Sequence, residues 1–236
     1  MDQATPGCRT QDGTTVQQVP TVFDVLDELA ADINHNIQAL LAIVTVPHYA
    51  NLLSVLSWFM DGNDVRHLVE ANRTSNVPGL REAFRVHGQE ESGHYKYALR
   101  DLAALGFVRT PTPPDEVTRL HWLVDGWDAP RKLGYSAVVE TMAAGLREAF
   151  LAMKARLDLR DEHFSCLALH LEVDAGPTGH GVTQRRVAQQ YLTTGQWVAF
   201  LDGALHGGRA WGEMFCMALR TPLYVSRTAS SAAVSP

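Results

Sequence analysis

Apolar positions in this chain recur at helical rather than strand spacing. Phe23, Val25, Leu26, Leu29, Ile33, Ile37, Leu40 and Leu41 form one broad stripe, which predicts a long first helix ending before Pro47. Residues Tyr49 to about Asn72 predict a second, with Leu52, Leu53, Val55, Leu56 and Phe59 and then Leu68 on its apolar side. Asp61-Gly62-Asn63-Asp64 falls in its middle and is compatible with either a kink or a turn. Pro78 has the place of an early-helix proline and Gly106 that of a terminator, so a third helix is expected from Pro78 to Leu105.

Three prolines in Phe107–Asp115 mark the clearest linker. Beyond it the pattern predicts helices over Glu116–Asp125, Tyr135 to about Leu157, Asp161–Asp174, Val182–Leu192 and Trp197–Leu219. No segment alternates at period two over six residues. The expected fold class is therefore all-α, a single-domain bundle of seven to eight helices over residues 21–222. Composition alone marks residues 1–20 and 223–236 as disordered ends.

Composition narrows the function classes. Hydrophobic residues at 46% and charged residues at 19% fit one globular core. A net charge of −6 offers no basic face for nucleic acid or anionic membrane, which leaves a small molecule as the expected partner. The polar start of the chain lacks the apolar core of a signal peptide, and no run is apolar enough to span a bilayer; a cytoplasmic protein is expected. Cys8, Cys166 and Cys216 are too few and too scattered for a disulfide framework.

The residues that promise chemistry are carboxylates and imidazoles in three separate segments. Glu91 and His94 are three apart and cofacial on a helix. Glu90 lies ~100° around and is expected to face solvent. Glu140 stands in the uncharged run from Gly134 to Ala144, where a carboxylate is costly unless it is paired or binds a metal. His170 and Asp174 are four apart, although a satisfied core histidine is the competing reading of His170. His180 follows Gly176-Pro177, which ends the helix, so it joins the set only if the chain loops out and returns. Oxygen and imidazole donors in this mixture suit iron or manganese rather than a thiolate zinc site.

Glu90-Glu91-Ser92-Gly93-His94 followed by Asp101-Leu102-Ala103-Ala104-Leu105-Gly106 resembles the "E-E-x-G-H, then D-L-x-x-L-G" segment of haem-oxygenase-like diiron oxidases and oxygenases. Gly134–Glu140 resembles their glutamate helix, and His170–Asp174 their "H-x-x-x-D" helix. The resemblance extends to the TenA-type thiaminases and the protein of the last step of pyrroloquinoline quinone synthesis. It implies six metal ligands: Glu91, His94, Glu140, His170, Asp174 and His180. One ion would take Glu91 and His94, the other His170 and Asp174, with Glu140 bridging. The implied cofactors are two Fe(II) ions, with manganese as a substitute and O₂ as co-substrate. Tyr95, Tyr97, Trp197 and His206, in or beside the ligand helices, are candidates to support the ligands.

The expected function is iron-dependent oxidation of an amino-acid-like or acid-like molecule in secondary metabolism, by N-oxygenation or oxidative C–C cleavage. An external electron donor and a homodimer are compatible with it. Two alternatives stand beside this reading. One is a metal-free TenA-like hydrolase with a cysteine nucleophile; the other is a binding protein of the same fold without metals.

Overall fold

The computed structural model describes residues 21–173 and 178–224. Among them the chain forms helices and no strands: α1 (Val22–Leu41), α2 (Val46–Met60), α3 (Asn63–Arg73), α4 (Pro78–Glu90), α5 (Tyr95–Ala104), α6 (Asp115–Asp125), α7 (Ala129–Gly145), α8 (Arg147–Arg156), α9 (Ser165–Val173), α10 (His180–Tyr191) and α11 (Trp197–Arg220). None of these is long and apolar enough to cross a membrane. The expected end 1–20 and residues 225–236 of the expected tail 223–236 lie outside the described residues, as does Asp174, while Leu223 N–H donates to the Pro47 carbonyl at 2.9 Å.

Local sequence explains the ends of these helices. The Thr21 hydroxyl accepts from Asp24 N and the Asp24 carboxylate accepts from Thr21 N, a reciprocal cap that starts α1. From there Leu26, Ala30, Asn34, Ile37 and Leu41 turn inward at three- and four-residue steps. Asp128 caps α7 by accepting from Arg131 N, which starts this helix six residues earlier than the apolar run suggests. Helix α2 is buried on nearly every side from Tyr49 through Ser57.

The bundle has more helices than the hydrophobic pattern implies because three expected long helices each break once. Gly62, at φ 83°, separates α2 from α3; Gly93, also at φ 83°, separates α4 from α5. Leu146 divides α7 from α8. A period count does not register such breaks, since the apolar face resumes on the far side of each. Similarly, a 3-10 turn at Asp161–His163 precedes α9, so the expected helix from Asp161 begins at Ser165.

Two contacts set the position of the site. Helices α7 and α11 touch backbone to backbone, with Gly134 against Phe200 and Gly203 against Arg131. Asp101 of α5 reaches the start of α9, where Oδ1 accepts from Ser165 Oγ and Oδ2 accepts from Cys166 N at 2.8 Å. The segments that carry Glu91, Glu140 and His170 thus meet along one cavity, which all three residues line.

Candidate metal centre

The donors fall into two groups. Glu91, His94 and His170 each present a ligand atom within 4.8 Å of the others, and so do His87, Glu140 and His180. Each group holds two imidazoles and one carboxylate. Residues of both groups line a cavity of about 140 Å³ between α2, α3, α4, α6, α7, α8, α9 and α11, with room for roughly ten waters or a compact organic molecule.

The first group is built on the α4–α5 break. Glu91 closes α4, Gly93 reverses the chain at its positive φ, and His94 returns so that Nδ1 lies 3.3 Å from Glu91 Oε1. That imidazole nitrogen is buried and makes no hydrogen bond of normal geometry. His170 enters from α9 with its ring 5.2 Å from that of His94 and nearly perpendicular to it. Its Nδ1–H donates to the Cys166 carbonyl at 2.8 Å, which fixes the proton there and leaves the Nε2 lone pair available. Burial alone would raise the Glu91 carboxyl. The imidazoles of His94, His87 and His170 outweigh it and hold the group well below the usual carboxylate range.

The second group spans α4, α7 and α10. His87 Nε2 is 3.7 Å from Glu140 Oε1, and His180 Nδ1 is 3.8 Å from Glu140 Oε2. The two rings meet edge to face at 5.0 Å. Glu140 is therefore flanked by imidazoles from two other helices, in keeping with the cost of a lone carboxylate in an apolar run. His180 is the first residue of α10, so a new helix begins where the returning imidazole is needed. Glu90, half exposed, approaches His180 Nε2 at 3.5 Å instead of standing clear of the site.

Among the described residues His170 groups with Glu91 and His94, and Glu140 groups with His87 and His180; Asp174, the expected partner of His170, lies outside them. His87 went unrecognised, although it precedes Glu91 by four residues and His94 by seven, the spacing of one helical face. Tyr97 lies edge-on to His94 at 6.5 Å. The other three support candidates sit elsewhere: Tyr95 packs on the core, Trp197 packs against Phe23 and Phe200, and His206 faces solvent beside Asp202. A helical residue's face, not its closeness in sequence to a donor, decides whether it reaches the site.

A further histidine lies behind the second group. His67 of α3 meets His87 edge-on at 4.4 Å. Burial pushes its imidazole down to about 4; Glu91 opposes this, and Lys132, Arg66 and His180 reinforce it. A base whose folded pKa lies below its unfolded value costs the fold nothing while neutral in both states. Below about 6.5 the unfolded chain takes up the proton first, so stability falls as pH drops from 6.5 toward 4. For His67 that loss is at most about 3 kcal/mol. By urea titration, the total stability lost between pH 6.5 and 4 should be greater in the metal-free chain than in His67→Gln by up to this amount; equal losses would show that His67 is not desolvated.

The fold compares with known structures as follows. No protein-family model matches the chain, and no curated protein matches it. Solved structures do. A domain of unknown function with a haem oxygenase-like fold from Shewanella denitrificans superposes with a TM-score of 0.69 at 18% identity, over 84% of this chain and 89% of that one. A CADD-like protein of unknown function from Nostoc punctiforme superposes with a TM-score of 0.68 at 14% identity, over 86% and 97%. A second structure of a CADD-like Nostoc punctiforme protein gives 0.64 at 14% identity, over 84% and 93%. The fold is haem oxygenase-like.

Proposed function

We propose that this protein is a non-haem diiron oxidase or oxygenase acting on a small organic molecule. The observation that carries the reading is the convergence of two separate sets of two histidines and one glutamate on one cavity. Two imidazoles with one carboxylate, leaving other positions open, is the donor set that suits Fe(II) in oxygen chemistry, and manganese fits the same donors. Glu91, His94 and His170 would hold one ion; His87, Glu140 and His180 would hold the other. Bound iron(II) would supply the electrons that activate O₂ for oxidation of the substrate.

The protein's own residues prepare that chemistry. The Cys166 carbonyl keeps the His170 proton on Nδ1, and Asp101 holds the start of the helix that carries both residues. The walls are mostly apolar, with Leu56, Phe59, Leu120, Phe150, Leu171 and Phe215 limiting water around the reacting groups. The thiol-hydrolase alternative has less support. Burial raises the Cys166 thiol well above its ordinary value, with Asp101 and Glu91 adding to the effect, and burial also raises Cys216. Neither is poised as a nucleophile.

Anaerobic titration of the chelated protein with Fe(II) is the direct test. About two equivalents should bind per chain, and O₂ uptake should then depend on the bound iron. Binding of none, with the fold intact by circular dichroism, would remove the reading.

A further inference from the structure

Three donors of residues that line the cavity make no hydrogen bond among the described residues: the Tyr135 hydroxyl, Trp211 Nε1–H and Arg66 Nε–H. Each of these atoms is buried, and a buried donor left without an acceptor is costly. Two of the three cannot accept at all, so together they describe a ligand rich in acceptors.

Arg66 is fixed in place by its other nitrogens. Nη1 donates to the Asp61 carbonyl at 3.1 Å, and Nη2 lies 3.0 Å from His121 Nδ1. His121 must accept there, because its Nε2–H donates to the Phe59 carbonyl at 3.0 Å. Asp125 Oδ1 forms a loose ion pair with Arg66 Nε at 3.4 Å, short of a hydrogen bond, and its side chain is 53% exposed, so a bound carboxylate can compete for this nitrogen. Glu70, another carboxylate on the wall, is already matched by Lys132 at 2.7 Å. Tyr135 sits within electrostatic reach of both Arg66 and Glu140, and all three line the cavity. Trp211 is held by its stacking on Phe215 at 4.8 Å.

We infer that the cavity binds an organic acid with an apolar body, its carboxylate accepting from Arg66 Nε and the Tyr135 hydroxyl, with Trp211 supplying a further donor to the same cavity. A carboxylate brings acceptors only and makes charge-assisted bonds to a guanidinium. An amine would add a fourth donor to the three, and an amide would bring donors of its own. The apolar body has Phe59, Leu120, Val124, Val139, Phe150 and Leu171 to pack against. That this acid is the molecule oxidised rests on the diiron reading; its binding does not.

Calorimetry on the chelated full-length protein with 3-phenylpropionate, 3-phenylpropanamide and 3-phenylpropylamine tests the assignment. The acid should bind about tenfold or more tightly than the other two, and Tyr135→Phe, which keeps the ring, should weaken it by about tenfold. Arg66→Gln should weaken it further. Equal binding of the three, preference for the amine, no binding of any, or an unchanged affinity in Tyr135→Phe would each overturn the inference. Acid binding by a protein that takes up no iron would leave it standing and remove the diiron reading; iron uptake without acid binding would do the reverse.

Discussion

Glu140→Ala should lose one of the two proposed irons and all iron-dependent O₂ uptake with substrate, while His170→Ala should lose the other iron. The reason is the division of donors. Among the described residues Glu140 is the carboxylate that groups with His87 and His180, with His87 Nε2 at 3.7 Å and His180 Nδ1 at 3.8 Å, whereas His170 belongs with Glu91 and His94. Loss of a hydrogen-bonding partner behind a ligand typically costs 10–100-fold in metal affinity, so loss of the carboxylate itself should exceed about 100-fold. His87→Ala should resemble Glu140→Ala in this respect and differ from His170→Ala. Iron content by elemental analysis, with Fe(II) affinities for each variant, reads the outcome. If Glu140→Ala retains both ions at unchanged affinity, Glu140 is a structural carboxylate held by two histidines. If Glu140→Ala and His170→Ala remove the same ion, the division into two groups is wrong.

Gly134→Ala should destabilise the fold more than any substitution on the surface. A Cβ at Gly134 would stand 1.9 Å from the Phe200 carbonyl oxygen and 2.7 Å from its carbon. These are backbone atoms of a helix, so no side-chain rotation relieves the clash; α7 and α11 must separate. Overpacking usually costs about 1–3 kcal/mol where side chains can yield, and here the cost should reach about 4 kcal/mol or more. Against a typical total of about 5–15 kcal/mol, that is enough to lower the melting temperature by many degrees or prevent folding. Gly203→Ala meets the Arg131 carbonyl at 2.0 Å and should behave alike, whereas Gly195→Ala meets nothing within 4 Å and serves as the control. Thermal unfolding of the three variants checks this. Because α7 carries Glu140, any folded Gly134→Ala protein should also bind the second ion more weakly, which ties helix packing to the site. A Gly134→Ala protein as stable as Gly195→Ala would mean that the two helices lie farther apart.

Much of this molecule is legible without coordinates. The helical period of Leu26, Ile37 and Leu41, the proline linker before α6 and the lack of two-residue alternation are local properties, and they suffice for an all-α bundle. The conspicuous position of Glu140 is local too, since a carboxylate in an uncharged run implies a partner whatever the fold. What the partner is cannot be local. His87 and His180 reach Glu140 from α4 and α10, 53 residues before it and 40 after it, and their approach depends on how α7 packs against both helices. Proximity in sequence suggested a pairing of His170 with Asp174 and support from Trp197 and His206. Asp174 lies outside the described residues; tertiary packing sets His170 beside His94, packs the partly buried Trp197 on Phe23 and Phe200, and leaves His206 in solvent. Gly93 shows where the two kinds of information meet. Its side chain, a single hydrogen, permits a positive φ, but only the packed bundle requires the reversal there that brings His94 back to Glu91. Sequence thus determined which groups had to be buried together, because burial energies attach to residues. The bundle decided which of them meet, because meeting depends on distances between helices far apart in the chain.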